Sequence, residues 1–153
     1  MALISPSDQQ SLREAFAGMT RPVRLLFFTQ ALGCETCPQT RQILDELPPL
    51  SDRITVEEVN LILEADRAKA HGIERVPAVA ITYQQSSQDP SPVSVWQDSR
   101  IRFLGAPAGY EFVSLVQAVL LAGGRPSTLS ERSRERIAAV NQPVTLQVFT
   151  TPT

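Results

Sequence analysis

Residues 23 to 29 read Val-Arg-Leu-Leu-Phe-Phe-Thr, a nearly continuous apolar run set off by Pro22. A strand that alternates polar and apolar residues leaves one face to water. This run has almost nothing to give water on either face, so it reads as a strand buried on both sides. Such a strand needs neighbours in a sheet and helices above and below it, which is a layered α/β architecture. The chain has 153 residues, 42% of them hydrophobic, enough for one domain with a true core.

The flanking segments supply those layers. Ser5, Pro6 and Asp8 form a helix start, and Leu12, Phe16 and Met19 give that helix, Pro6 to about Met19, its apolar stripe. After the strand, a second helix runs to about Leu47 with Ile43, Leu44 and Leu47 inward, and Pro48 and Pro49 stop it. Ile54 to Val59 is a second strand. Leu63 to Ala70 is a short helix closed by His71 and Gly72. Pro77 to Tyr83 is a third strand, residues 84 to 92 form a polar loop, and Arg100 to Leu104 is a strand paired with Val93 to Trp96. Tyr110 to Ala122 is a long apolar helix ended by two glycines. The first two strands, joined through a helix, are expected to be parallel, and the last two antiparallel. The outcome is a mixed four-stranded sheet flanked by helices.

Between the first strand and the second helix lies Thr-Gln-Ala-Leu-Gly-Cys-Glu-Thr-Cys-Pro, which holds both cysteines of the chain, Cys34 and Cys37. A strand running into Cys-x-x-Cys and then a helix is the setting of a thioredoxin-like redox motif. Residues i and i+3 on a helix face stand about 5–6 Å apart, which suits a disulfide. The leading cysteine lies where unpaired helix N–H groups favour a thiolate, and the second is placed to resolve a mixed disulfide. Pro38 makes the first turn irregular. Glu35 opposes the thiolate, so a modestly lowered Cys34 pKa is expected. Two other readings stand beside this one. A structural zinc takes four ligands, and the chain offers two cysteines and His71, which reads as a helix cap. Two inert buried thiols are also open. Arg75-Val76-Pro77-Ala78 opens the third strand, where a proline is tolerated as the first residue.

The sequence also repeats itself. Arg13 to Thr29 and Arg134 to Thr150 align without gaps at an offset of 121 and agree at eight of seventeen places. Thr128 to Glu131 reads as a capping box, followed by a helix to Val140 and a strand from Val144 to Thr151. This divides the chain into a unit at 1–124 and, at 125–153, a helix and strand like the start of a second unit. On this reading the chain ends inside the opening strand of that second unit. That strand is expected to extend the first sheet, pair with another copy to give a homodimer, or be poorly ordered.

These features resemble the glutaredoxin-like protein disulfide oxidoreductases, which carry two thioredoxin-fold units in one chain. The resemblance rests on the N-terminal helix, FFTQALGCETC, the Val-Pro strand, GAPAGYEF (Gly105 to Phe112) and the tail VTLQVFTTPT. It implies a thioredoxin-like fold, with Cys34 as nucleophile, Cys37 as resolving thiol and Pro77 as a cis-proline. The Val76 backbone would then pair with the bound peptide. Cys-Glu-Thr-Cys departs from the Cys-Gly-Pro-Cys of thioredoxin, so no redox potential carries over.

The expected function is thiol–disulfide exchange on protein substrates, with no cofactor or metal. Electrons would come from a thioredoxin-reductase-like donor. The alternative is a docking module with a slow or idle cysteine pair. A net charge of −2 gives no electrostatic footprint for nucleic acid. No apolar run approaches the roughly 20 residues of a membrane span, and the N-terminus lacks the pattern of a signal peptide. The cytoplasm is the expected compartment, where a lone cysteine pair is catalytic or metal-binding rather than a structural staple.

Overall fold

The computed structural model describes residues 3–85 and 95–151. Its elements are α1 (Pro6–Ala17), β1 (Val23–Thr29), α2 (Cys37–Asp45), a single tight turn of helix at Pro48–Leu50, β2 (Ile54–Asn60), α3 (Ala65–Ala70), β3 (Ala78–Gln84), β4 (Trp96–Leu104), α4 (Tyr110–Ala122) and α5 (Glu131–Ala138). The sheet order is β2-β1-β3-β4. β1 runs parallel to β2, with Val23 opposite Ile54 and Thr29 opposite Asn60. β3 is antiparallel to both β1 and β4. The mixed four-stranded sheet of the sequence reading is therefore present.

Side chains alternate along β1 and feed two separate cores. Val23, Leu25 and Phe27 join Phe16 of α1, Leu44 of α2 and Leu115 and Val119 of α4 in the larger one. Leu26 and Phe28 point the other way, toward Val59, Ala68 of α3, Ile73, Ala78 and Ala80. The six residues of α3 are too few to cover that second face. Arg24, the one charged residue of β1, covers part of it: its guanidinium pairs with Glu57 at 3.2 Å and lies 4.0 Å from the centre of the Trp96 ring.

Several boundaries differ from the sequence reading, each for a local reason. α1 stops at Ala17 because Gly18 caps it, so Met19 reaches the core from outside the helix. α2 ends at Asp45, and the two prolines form their own turn. α3 begins at Ala65, not Leu63. The fourth strand is one strand, Trp96–Leu104, paired with β3, rather than a short strand with its own hairpin partner; Val93 lies outside the described residues. A register shift interrupts the β3–β4 ladder between Ala80 and Thr82. There Arg100 takes a left-handed φ of 63°, and its N–H donates to the Asp98 carboxylate at 2.8 Å. An Asx-type bond of this kind makes a bulge tolerable in a strand.

The end of α4 is fastened to the chain just ahead of β1. The Gly123 carbonyl accepts from the N–H groups of Thr20 at 2.8 Å and Arg21 at 3.1 Å. A Cβ at Gly123 would come within 2.7 Å of the Met19 Cε, and one at Gly124 would collide with the Thr20 hydroxyl. Both positions therefore need glycine for close approach.

Past this junction the character changes. α5 is capped by Ser130, whose hydroxyl accepts from the Ser133 N–H at 3.2 Å, and not by the expected box at Thr128. No residue of α5 is buried. Residues 144 to 151 form no strand and stay exposed. Of the three outcomes expected for this segment, joining the sheet does not occur. The Thr150 hydroxyl donates to the Glu111 carboxylate in the first turn of α4.

Candidate active site

β1 ends at Thr29, and five residues later the chain reaches Cys34. Gly33, at φ 74°, makes the reversal that a residue with a Cβ would resist. Cys34 and Cys37 are joined in a disulfide with Cα atoms 5.4 Å apart. Cys34 is half-buried, while Cys37, the first residue of α2, is 5% exposed within the larger core. The helix starts later than the spacing suggested. Thr36 is its N-cap, and Cys34 stands two residues ahead of that cap in a turn. No side chain caps α2, and Pro38 removes one N–H from its first turn. Uncapped N–H groups at a helix start favour a nearby negative charge. Thr40, fully buried one turn on, donates both its N–H and its hydroxyl to the Thr36 carbonyl at 2.9 Å. These bonds hold the otherwise irregular turn.

The Val76–Pro77 bond is cis. Phe28 pairs with Ala78, so Pro77 stands at the register position next to Thr29, at the same end of the sheet as the disulfide. The Pro77 carbonyl accepts from the Gly105 N–H at 2.9 Å. Val76 is half-buried and packs against both cores, and Cys34 packs against the larger one. The fold thus brings Cys34, Cys37, Val76 and Pro77 to one end of the sheet.

His71 does not join them. Its Nδ1 lies 2.9 Å from the Arg67 carbonyl, so that nitrogen carries the proton and donates, and its ring packs on Phe28. It caps α3, as its sequence position suggested. No group of three or more metal-type side chains gathers among the described residues.

The turn after β2 was not recognised as part of this end. Leu61 donates its N–H to the Thr29 carbonyl at 2.8 Å. The Asn60 side-chain oxygen accepts from Ile62 and Leu63 N–H groups at 3.0 and 2.9 Å. Glu64 in turn accepts from the Asn60 N–H at 2.9 Å, and Arg67 links Glu64 to Glu57. The Asn60 N–H first, and the Arg67 guanidinium second, hold the Glu64 carboxyl below its usual range. The missed signal was Asn60 itself, a turn former directly after a strand.

No protein-family model matches the chain. Over 91% of its length it is 27% identical to an alkyl hydroperoxide reductase component of Escherichia coli (strain K12). Its structure matches the NTD_N/C domain of the AhpF alkylhydroperoxide reductase of Enterococcus faecalis (V583), with a TM-score of 0.77, 28% identity and 91% of this chain covered. A protein disulfide oxidoreductase from Aeropyrum pernix k1 matches over 88% of the chain, with a TM-score of 0.70 and 24% identity. The fold is thioredoxin-like. The resemblance to the glutaredoxin-like protein disulfide oxidoreductases is borne out in the sheet, its flanking helices and the bonded cysteine pair. The chain spans 22% of the E. coli protein, 62% of the E. faecalis chain and 54% of the A. pernix chain. No described helix is long and apolar enough to cross a membrane.

Proposed function

We propose that this thioredoxin-like unit is a protein thiol–disulfide oxidoreductase working through Cys34 and Cys37. The carrying observation is the asymmetry of the bonded pair: Cys34 accessible in the turn, Cys37 buried at the helix start. Only an exposed sulfur can meet a sulfur on another protein, and a buried neighbour is protected from everything except the bond that forms beside it.

In the reduced form the Cys34 thiolate attacks one sulfur of a target disulfide. The target S–S bond breaks, its second sulfur leaves as a thiolate and takes a proton, and a mixed disulfide remains. The Cys37 thiolate then attacks Cys34 Sγ, which forms the Cys34–Cys37 bond and frees the second target thiol. Two electrons pass from the cysteine pair to the target. A dithiol on a partner redox protein, of reductase or peroxidase-system type, returns the pair to its reduced form. The backbone of Val76, beside Pro77, is suited to pair with an extended target segment by strand addition. Residues 125–153 stand apart from the 1–124 unit in this proposal, and the repeat of Arg13–Thr29 at Arg134–Thr150 supports that division.

The test is reduction of insulin disulfides by the pre-reduced chain, followed by precipitation of the freed B chain. Cys34→Ser is expected to abolish it, and Cys37→Ser to accumulate a mixed disulfide through Cys34. Undiminished activity of Cys34→Ser, or faster alkylation of Cys37 than Cys34, would overturn the assignment.

A further inference from the structure

The buried side chains of α2 are Cys37, Thr40, Ile43 and Leu44. A core accepts the thiol and the two aliphatic chains readily. Thr40 is different, and it is 0% exposed. Valine has the same shape without a hydroxyl to desolvate, so packing alone favours valine at this position. The hydroxyl does have a partner, the Thr36 carbonyl at 2.9 Å. The Thr40 N–H already reaches that carbonyl at 2.9 Å, so the carbonyl is satisfied without the hydroxyl.

Cys37 has the opposite difficulty. It must give up its proton to attack Cys34, yet it is 5% exposed in an apolar core. Burial of this kind favours the neutral thiol. The buried polar side chains among the described residues are Thr29, Thr40 and Thr82, none of them an acid or a base. The ionisable groups of the surrounding elements are engaged elsewhere. Glu35, Arg41, Asp45 and those of α1 are exposed. Glu46 accepts from the Leu3 N–H and Glu111 from the Thr150 hydroxyl. Tyr83 lies against Arg21, opposite Val23 at the far end of the sheet. Arg24 pairs with Glu57 over the second core. Of the three hydroxyls, Thr82 donates to the Arg24 carbonyl and Thr29 ends β1. Thr40 alone shares a helix face with Cys37. Side chains three residues apart on a helix have Cβ atoms about 5–6 Å apart, and they lean toward the helix N-terminus, which here points Thr40 back at Cys37.

We propose that the Thr40 hydroxyl is the hydrogen-bond partner of Cys37 in the reduced form, holding its sulfur as the thiolate that resolves the mixed disulfide. This deepens the exchange reading above and rests on it. The structure holds the oxidised form, in which the Cys37 sulfur is bonded to Cys34 and the hydroxyl rests on the Thr36 carbonyl. On reduction the hydroxyl turns about its Cα–Cβ bond and donates to the Cys37 sulfur, a move open to threonine in a helix because it has two favoured rotamers there. The Thr40 N–H stays on Thr36, so the move leaves no buried group unpaired. The Cys37 thiolate then bonds to Cys34 Sγ and the bond from Cys34 to the target breaks. The target sulfur leaves as a thiolate and takes a proton from water, balancing the one that Cys37 gave to water. Thr40 keeps its own proton throughout.

The test mixes the pre-reduced full chain with the disulfide of thionitrobenzoate in a stopped-flow spectrophotometer. Attack by Cys34 releases a first thionitrobenzoate at a rate proportional to the reagent. Attack by Cys37 on the mixed disulfide releases a second at a rate independent of it. Thr40→Val is expected to leave the first phase unchanged and to slow the second about tenfold near neutral pH, because a charged acceptor loses a hydrogen bond. The pH profile of the second phase is expected to move up by about one unit, so that wild type and variant converge in alkaline solution, where the thiolate forms unaided. Thr40→Ser, which keeps a hydroxyl, is expected to keep a fast second phase. Thr40→Ala, read the same way, stands in if the valine variant does not fold. A second phase unchanged in Thr40→Val would overturn the proposal, as would a serine variant as slow as the valine one. A second phase slowed by the same factor at every pH, or a first phase slowed in step with it, would also overturn it, by reducing Thr40 to a support for the turn. If the wild-type chain releases no thionitrobenzoate at all, the exchange reading falls. The hydroxyl is then judged in Cys34→Ser, by titrating Cys37 through the ultraviolet absorbance of its thiolate. An ionisation that adding Thr40→Val moves upward supports the bond, and one that stays in place overturns it.

Discussion

Arg13–Thr29 and Arg134–Thr150 are two nearly matched stretches with opposite fates. In the first, Phe16 packs from α1 and β1 lies at the centre of the sheet, with Phe28 0% exposed. In the second, Ile137 and Val140 face water, residues 144–150 pair with no strand, and Phe149, the counterpart of Phe28, is 90% exposed. Both stretches carry a serine-capped helix, a Pro-Val entry and a Phe-Thr end. The difference is that β1 has β2 and β3 beside it, whereas the 144–150 segment has no neighbouring strand among the described residues. An apolar strand sequence is a demand for partners rather than a structure in itself.

The largest effect that would break this comparison comes from truncating the paired phenylalanines. Phe28→Ala is expected to lower the unfolding free energy by about 3–5 kcal/mol. Phe149→Ala is expected to change it by less than about 0.5 kcal/mol. Urea denaturation followed by Trp96 fluorescence measures both. A loss of more than about 1 kcal/mol for Phe149→Ala would show that the 144–150 segment is packed after all.

A smaller effect comes from the two serine caps, which have the same chemistry and the same 3.2 Å bond to the third N–H. Ser5→Ala is expected to cost about 1 kcal/mol of global stability, because Phe16 ties α1 to the core. Ser130→Ala is expected to melt α5 locally and leave the global transition where it is. Hydrogen exchange on α5 would rise in the second variant while the urea midpoint held. A shifted midpoint would couple α5 to the unit.

The smallest effect is an acid one confined to the packed region. Arg102 hydrogen bonds, more than any other contact, hold the Asp98 carboxyl below its usual range. A depressed folded pKa gives stability that is complete above the ordinary carboxylate range and fades as pH falls through the lower folded value. The pair is partly exposed, so the contribution is at most about 1 kcal/mol. Asp98→Asn should flatten the acid limb of the stability curve near pH 4 and below. An unchanged acid limb would mean that the pair contributes nothing. No salt bridge lies among the described residues after 124, so α5 should show no matching response.

The sequence was most legible where a signal was local. Ser5-Pro6 marked a helix start, the apolar run of β1 marked a central strand, and the i,i+3 cysteines marked their bond. It was least legible where a tertiary partner decided the outcome. β4 was cut short because Gln97, Asp98 and Ser99 look like loop, although an edge strand with a bulge accommodates them through Asp98 and the Ser99 hydroxyl, which donates to the Ile81 carbonyl at 2.6 Å. The sequence reading began α3 at Leu63, two residues too early. Asn60 instead closed a turn that ends before the helix begins and turned that side chain outward. The 144–150 segment was given a strand's pattern by its residues, and pattern alone supplies no ladder.

The fastening of Gly123 to Thr20 and Arg21 has a mechanical consequence. Thr20 and Gly123 are 103 positions apart, so these bonds close a loop containing every strand and the disulfide. Nothing inside that loop can unravel from its ends until the clasp opens, which joins the sheet and α4 in one cooperative transition. Arg125 lies just outside it. Tension applied along the chain beyond Arg125 would be delivered through Gly123 to the root of β1, at the end of the sheet opposite the cysteines, and would load the clasp before it disturbed the redox turn.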